Sequence, residues 1–484
     1  MLHNVHRTMP VQRLHRLAAL TLASLALTGC ATWSPDGGFG QVDQLTRARL
    51  GQAPSWQRSA ADTETARQHV AELLNRPLDA EGAVQIALLN QPELQAAYAQ
   101  LGVAEADRVR AGRLANPTLR FGRLSSGPGR TEIDRGLMFD LLGLLTLPVA
   151  QQIEQQRFER AQLQAALDTV TVATEARKAF FEAVAARQLL DYSGQVHEAA
   201  AAAGELARRM AAAGNFSALA QMREQAFQAD AALQLARARH QALASREQLL
   251  RALGLGEAPA NLRLPDRLPD LPAAPVEPRD AEQTAMQQRL DVLMARRDTE
   301  ATARALGLTQ ATRVINVLHA GVQNKSASGE PTARGVEIEL ELPLFDFGST
   351  RLARAEAVYM QSVHTTAAVA NRARSEVRES YSAYRTAYEL ARHYRDEVVP
   401  LRKRISEENL LRYNGMLTSV FDLLVDAREQ VNSVVGAVSA LRAHWIAETD
   451  LQLALTSRSP TGSRAGDLGP AASGGSTAGA AGGH

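Results

Sequence analysis

The chain has 484 residues, with 53 lysines and arginines against 52 aspartates and glutamates and a formal net charge of +1 at pH 7. That balance excludes a protein that holds nucleic acid through a broad basic surface, and an alanine-dominated apolar content with only 5% aromatic residues favours long helices over bulky cores. The single cysteine excludes an intrachain disulfide.

Residues 1–29 read as a targeting segment: Arg7, Arg13 and Arg16 precede a short apolar run, Leu17 to Leu27, that closes in Leu27-Thr28-Gly29-Cys30. This tetrapeptide resembles a bacterial lipobox, in which the cysteine is freed at its amino end and lipidated, so Cys30 is the expected lipid attachment point. Ala31 rather than an aspartate follows it, which fits sorting to the outer membrane. Residues 30–77 are polar, carry Pro35, Gly37, Gly38 and Pro54, and read as an irregular lead from the anchor. No later stretch offers a membrane-spanning helix; the apolar run Leu141 to Ala150 is broken by Pro148.

Two similar halves follow, residues 78–253 and 280–455. Asp79-Ala80-Glu81 matches Asp280-Ala281-Glu282, Arg135-Gly136 matches Arg334-Gly335, and Gly214 matches Gly415, each about 200 residues apart, as an internal duplication requires. Both halves read helix (79–113; 280–308), strand (117–125; 313–323), strand (132–142; 334–342), long helix (150–211; 350–412), helix (217–253; 417–455). Leu219, Met222, Ala226, Ala229, Leu233, Ala236, His240 and Leu243 step by alternating three and four residues. Val420, Leu424, Ala427, Val431, Val434, Val438, Leu441 and Trp445 do the same, which predicts two coiled-coil seams. Tyr381, Tyr384 and Tyr388 form a stripe read as packing, and Pro400 is expected to kink or break its helix. Residues 254–279, with Pro259, Pro265, Pro269, Pro272, Pro275 and Pro278, predict an irregular crossover, and residues 456–484, rich in Gly, Ala and Ser, predict a disordered tail.

The clearest strand is Val336 to Leu342, where Val336, Ile338, Leu340 and Leu342 alternate with Glu337, Glu339 and Glu341. Strands of this length fit a tilted transmembrane barrel, but four cannot close one. Lipid tolerates no open sheet edge, so several copies would have to pool strands; twelve from three chains would enclose a pore, with the three glutamates facing its lumen.

The lipobox, the doubled plan and the stretches Arg209 to Ser217 (RMAAAGNFS) and Arg412 to Ala427 (RYNGMLTSVFDLLVDA) together resemble the TolC-like outer-membrane efflux factors, over roughly residues 78–455. The resemblance implies a mainly α protein with a small β part: a homotrimer joining a twelve-stranded β-barrel in the outer membrane, four strands per protomer, to a periplasmic α-barrel of long coiled-coil-like helices. It implies a passive conduit for substrates delivered by an inner-membrane efflux transporter through a periplasmic adaptor protein. Arg209, Gly214, Ser217, Arg412, Tyr413, Gly415 and Thr418 would lie at the helix tips where the adaptor docks. Gly214 and Gly415 would supply left-handed backbone, and Ser217 or Thr418 would cap the next helix. Asp422 and Asp426 would ring a periplasmic gate. This chain departs from the family at both places: Asn414 alone separates the tyrosine from the glycine, where the family commonly has two residues, and the aspartates stand four apart rather than in the family's tighter Asp-x-x-Asp, so either could form the constriction.

An enzyme is disfavoured: the sequence holds no nucleophile elbow, phosphate loop or HExxH motif, and His69, His197, His240, His319 and His393 lack metal-ligand spacing. No cofactor, metal or nucleic acid is expected. A lipid-anchored periplasmic coiled-coil scaffold without a pore is the competing reading, and four membrane-length strands in two pairs argue against it. Nine methionines and scattered histidines form no metal stripe, so metal ion and drug remain alternative cargoes.

Overall fold

The computed structural model describes residues 32–458 except 126, 128, 257, 258, 260 and 261; the expected signal segment, Cys30 and the chain beyond 458 lie outside the described residues. The first half comprises α1 (Phe39–Leu50), α2 (Ala60–Leu74), α3 (Ala80–Asn90), α4 (Pro92–Ala111), β1 (Thr118–Ser125), β2 (Thr131–Asp140), α5 (Leu141–Ala212) and α6 (Ala218–Ala252). The second comprises α7 (Ala281–Gln288), α8 (Leu290–Ala311), β3 (Leu318–Ala327), β4 (Ala333–Leu340), α9 (Ser349–His393), a π-helical turn (Tyr394–Val398), α10 (Val399–Asn414) and α11 (Val420–Thr456). No described helix is long and apolar enough to cross a membrane.

Several expectations need correction. Residues 30–77 are not irregular but hold α1 and α2. Helix α2 opens on a capping box between Ser59 and Asp62 and buries only Ala66, Val70 and Leu74, a stripe too narrow to stand out in a polar segment. The helices expected at 79–113 and 280–308 each break once. Gln91 is extended, as a residue before proline must be, and Arg289 is extended at the equivalent break although no proline follows. Each break docks on the end of its own half's last helix: Asn90 Nδ2 donates to the Gly254 carbonyl at 2.7 Å, and Arg289 Nη1 to the Ala454 carbonyl at 3.2 Å. Helix α5 starts at Leu141, ahead of the expected 150, because the Asp140 carboxylate accepts the Gly143 N–H at 2.8 Å and caps it; Pro148 lies inside. At 72 residues α5 is about 108 Å long. Pro400 does mark a break: Val399 N–H donates to the Tyr394 carbonyl five residues back, closing the π turn.

The chain forms two compact units. The unit comprising residues up to Gly40, Ala99–Gln162 and Met294–Ala367 holds one antiparallel sheet in the order β1-β2-β3-β4. Its register aligns Leu119, Leu137, Val322 and Val336 in one cross-strand row and Phe139, Ala320 and Ile338 in the next, giving one apolar face. That face is uncovered: Leu119 is 74% exposed, Val336 79% and Ile338 70%. Strands β1 and β4 are edges, and the helical parts of this unit are tied by polar pairs such as Arg160–Asp298 at 2.7 Å and Thr302–Ser362 at 2.8 Å.

The second unit, Gln41–Tyr98, Leu163–Leu293 and Ala368 onward, contains the main core. Phe180, Phe181 and Val184 of α5 meet Ile86 of α3, Leu249 of α6 and Val438 of α11, and Trp445 stacks on Phe181 at 5.4 Å. Among its described residues the proline-rich crossover has no helix or strand, and it is strapped down by the tyrosine stripe and Trp445. The Val276 N–H donates to Tyr384 Oη at 2.8 Å, Tyr388 Oη donates to the Ala273 carbonyl at 3.0 Å, and Trp445 Nε1 donates to the Pro269 carbonyl at 3.1 Å.

The two predicted seams behave differently. On α11, Val431, Val438, Leu441 and Trp445 pack inside the unit. On α6 the heptad positions Leu219, Met222, Leu233 and Leu243 are 56–60% exposed and His240 is exposed. The residues α6 buries instead are Ala220, Glu224, Ala231, Leu235, Ser245, Leu249 and Leu250.

Candidate functional site

The polar face of the sheet is one candidate surface. Alternation puts Glu132, Asp134, Asp140, Glu337 and Glu339 on it, with only Arg120, Lys325 and His319 as basic partners. Arg120, on edge strand β1, spans the sheet to the opposite edge: Nη1 donates to Glu337 at 2.6 Å and Nη2 to Glu339 at 3.1 Å. His319 Nδ1 stands 3.2 Å from the same Glu339 carboxylate. Glycines clear the path, since Gly136 and Gly321 lie on this face between the two edges. A Cβ at Gly321 would meet the Leu137 carbonyl oxygen at 2.2 Å. Strand β4 ends at Leu340, so Glu341 lies just past it, its N–H donating to the Val317 carbonyl at 3.4 Å. The three expected glutamates thus lie on or beside one polar surface, but two share an arginine that the alternation alone did not reveal.

The two helix tips are the second candidate. At the first, Gly214 takes φ 77°, its N–H donates to the Ala211 carbonyl, and the Asn215 N–H donates to the Met210 carbonyl at 2.9 Å, closing a Schellman motif. Ser217 then caps α6, accepting the Ala220 N–H at 3.2 Å. Arg209 and Arg208 both donate to Glu205, and the Arg209 bond above all holds that carboxyl below its usual range.

The second tip differs from expectation in two respects. Gly415 has an ordinary φ of −83°, and the left-handed residue is Met416 at φ 60°. The same bond pattern has moved along by one residue: the Leu417 N–H donates to the Arg412 carbonyl at 2.8 Å and the Met416 N–H to the Tyr413 carbonyl at 3.0 Å. The helix cap is Ser419 rather than Thr418. Ser419 Oγ accepts the Asp422 N–H at 3.3 Å while the Asp422 carboxylate accepts Ser419 N–H and the Ser419 and Thr418 hydroxyls. The Ser419 hydroxyl bond is the main reason the Asp422 carboxyl titrates below its ordinary value. The Ser-x-x-Asp spacing of a capping box was the available sequence signal. Asp422 therefore secures the start of α11, and Asp426 lies one turn further on. In the turn before α11, Met416 and Leu417 are 93% and 80% exposed. Behind the tips, Arg428 of α11 donates to the buried Glu224 of α6 at 2.7 Å and lies 4.3 Å over the Phe227 ring.

No protein-family model matches the sequence, and no curated protein does. Solved structures match over most of the chain. The outer membrane protein VceC of Vibrio cholerae aligns with a TM-score of 0.64 at 17% identity, covering 78% of this chain and 95% of its own. The outer-membrane channel OprN aligns at 0.65 and 17%, covering 85% and 95%. The open-state outer membrane channel MtrE of Neisseria gonorrhoeae aligns at 0.65 and 15%, covering 78% and 88%. These are channels of the TolC family, and the chain shares their fold.

Proposed function

We propose that this protein, built on the fold of TolC-family channels, is the outer-membrane channel of a tripartite efflux system. Three copies would close the barrel and stand against a periplasmic adaptor and an inner-membrane transporter. The observation that carries the reading is the sheet: an uncovered apolar face, an acidic face, and two open edges in one protomer. Backbone edges are not tolerated in lipid, so the sheet is complete only when β1 of one copy meets β4 of the next. Twelve strands enclose a lumen, and the acidic face supplies its wetted wall. The exposed α6 seam extends the same logic to the helices, since an apolar heptad face without a partner inside the protomer fits a sister copy.

In this reading Cys30 carries the lipid anchor, and Arg209, Gly214, Ser217, Arg412, Tyr413, Gly415 and Thr418 frame the surface that meets the adaptor. Met416 and Leu417 extend that surface. A non-glycine residue in left-handed backbone costs about 1–2 kcal/mol, and here it holds two apolar side chains out in solvent, the arrangement expected of a docking contact. Asp426, together with Asp422 at the capping box, is assigned to the periplasmic constriction. Single-channel recording in planar bilayers tests pore and gate separately. The purified chain is expected to conduct, and Asp422→Ala with Asp426→Ala to raise conductance. Ser419→Ala, which removes the cap and keeps both charges, separates the two roles of Asp422. Unchanged conductance and cation block in the double variant would remove the gate assignment, while a protein that never conducts would remove the channel.

A further inference from the structure

The uncovered face of the sheet is not uniformly apolar. Its aliphatic rows stop short of the hairpins. The row after Leu119–Leu137–Val322–Val336 is Phe121–Arg135–Asn324–Arg334, and the next places Arg123 beside Ile133 and Ser326. Every ionisable side chain that the register puts on this face is one of these three arginines, and no acid shares it. The opposite face carries five acids in the strands. Arg123, Arg135 and Arg334 are all exposed and make no ion pair among the described residues, whereas Arg120, on the polar face, is fully engaged. The three lie at the hairpin end of the sheet, the end away from the strand-to-helix connections of this unit.

We propose that Arg123, Arg135 and Arg334 form a binding fringe for the phosphates of glycolipid head groups in the membrane leaflet at the hairpin end. The inference rests on the channel reading, which puts this face in lipid. A guanidinium at the limit of an apolar band is costly unless it meets an anion, and its planar fork matches phosphate oxygens in pairs. Adjacent strands are about 4.8 Å apart, so Arg135 on β2 and Arg334 on β4 stand roughly 10 Å apart across Asn324. Arg123 lies diagonally from Arg135 at about 7–8 Å. Cations at this spacing can engage separate phosphates of one multiply phosphorylated head group, with Asn324 and Ser326 as neutral polar neighbours between the aliphatic rows and the turns.

The test is native mass spectrometry of the full chain in detergent, titrated with diphosphoryl lipid A and with the same lipid after dephosphorylation. The wild-type protein is expected to retain the diphosphoryl form at least about tenfold better. Arg123→Gln with Arg135→Gln and Arg334→Gln should abolish that preference, and the corresponding triple lysine variant should keep part of it. Equal retention of the two lipids by the wild-type protein, which involves no variant, overturns the proposal, as does an undiminished preference in the glutamine variant. Conductance of the same preparations separates the two levels: channels without phosphate preference overturn the fringe alone, and a wild-type protein that neither inserts nor conducts overturns the channel reading beneath it.

Discussion

His444 is wholly buried between Tyr384, Tyr388 and Trp445, and neither ring nitrogen has a hydrogen-bond partner. Glu448 Oε2 stands 3.9 Å from Nε2, too far to bond it. Burial pushes the imidazole pKa from 6.5 down to about 4. Between those values the unfolded chain binds a proton that the native site refuses, so this residue's effect is a loss of stability as pH falls from about 6.5 toward 4. Burial pushes the Glu448 carboxyl the opposite way, upward, so a difference between variants is needed to isolate the histidine. His444→Phe is expected to stabilise by about 1–2 kcal/mol at pH 5 and to flatten the pH dependence relative to wild type, read by thermal unfolding at pH 5 and 7.5. Arg289 is the converse case, a buried cation fully bonded to Asp291, Glu376 and the Ala454 carbonyl. Arg289→Ala should cost about 3–5 kcal/mol in chemical denaturation, because it strands two carboxylates at the α7–α8 break. At the tip, Met416→Gly should relieve about 1 kcal/mol of backbone strain and slow local amide exchange, while weakening binding to the proposed adaptor through the lost side chain.

At the scale of elements, the heptad spacing of α6 and α11 was fully legible, but which side it faced was not. Periodicity reports that a helix has a partner, without saying whether the partner belongs to the same chain. On α11 the seam meets α5 and α6; on α6 the seam is left bare, and the chain instead buries Glu224 against Arg428. Leu233→Glu should therefore leave the chain's helicity intact and abolish the proposed trimer, as read by circular dichroism and light scattering. Loss of helicity would show the seam to be internal after all. The alternation of β4 gave the glutamates their common face, whereas Arg120 was hidden because its partners are set by register three strands away. Helices α1 and α2 escaped notice for a similar reason, since each buries too few apolar residues to print a period on a polar segment. At the second tip the left-handed position and the cap each fall one residue later than the glycine and threonine suggest.

For the molecule as a whole, the central claim is that one copy is an incomplete object: its sheet has two unpaired edges and its apolar faces have no cover among the described residues. Closure in lipid has to come from identical neighbours, and four strands per copy make three copies the count that yields a hollow barrel. The most direct measurement is cysteine cross-linking between the two edges in outer-membrane fractions, scanning Leu119 to Leu124 of β1 against Val336→Cys on β4. The account predicts at least one register at which oxidation gives a ladder of covalent species ending at three chains. Monomer alone at every register, or a ladder that continues past three, would contradict it.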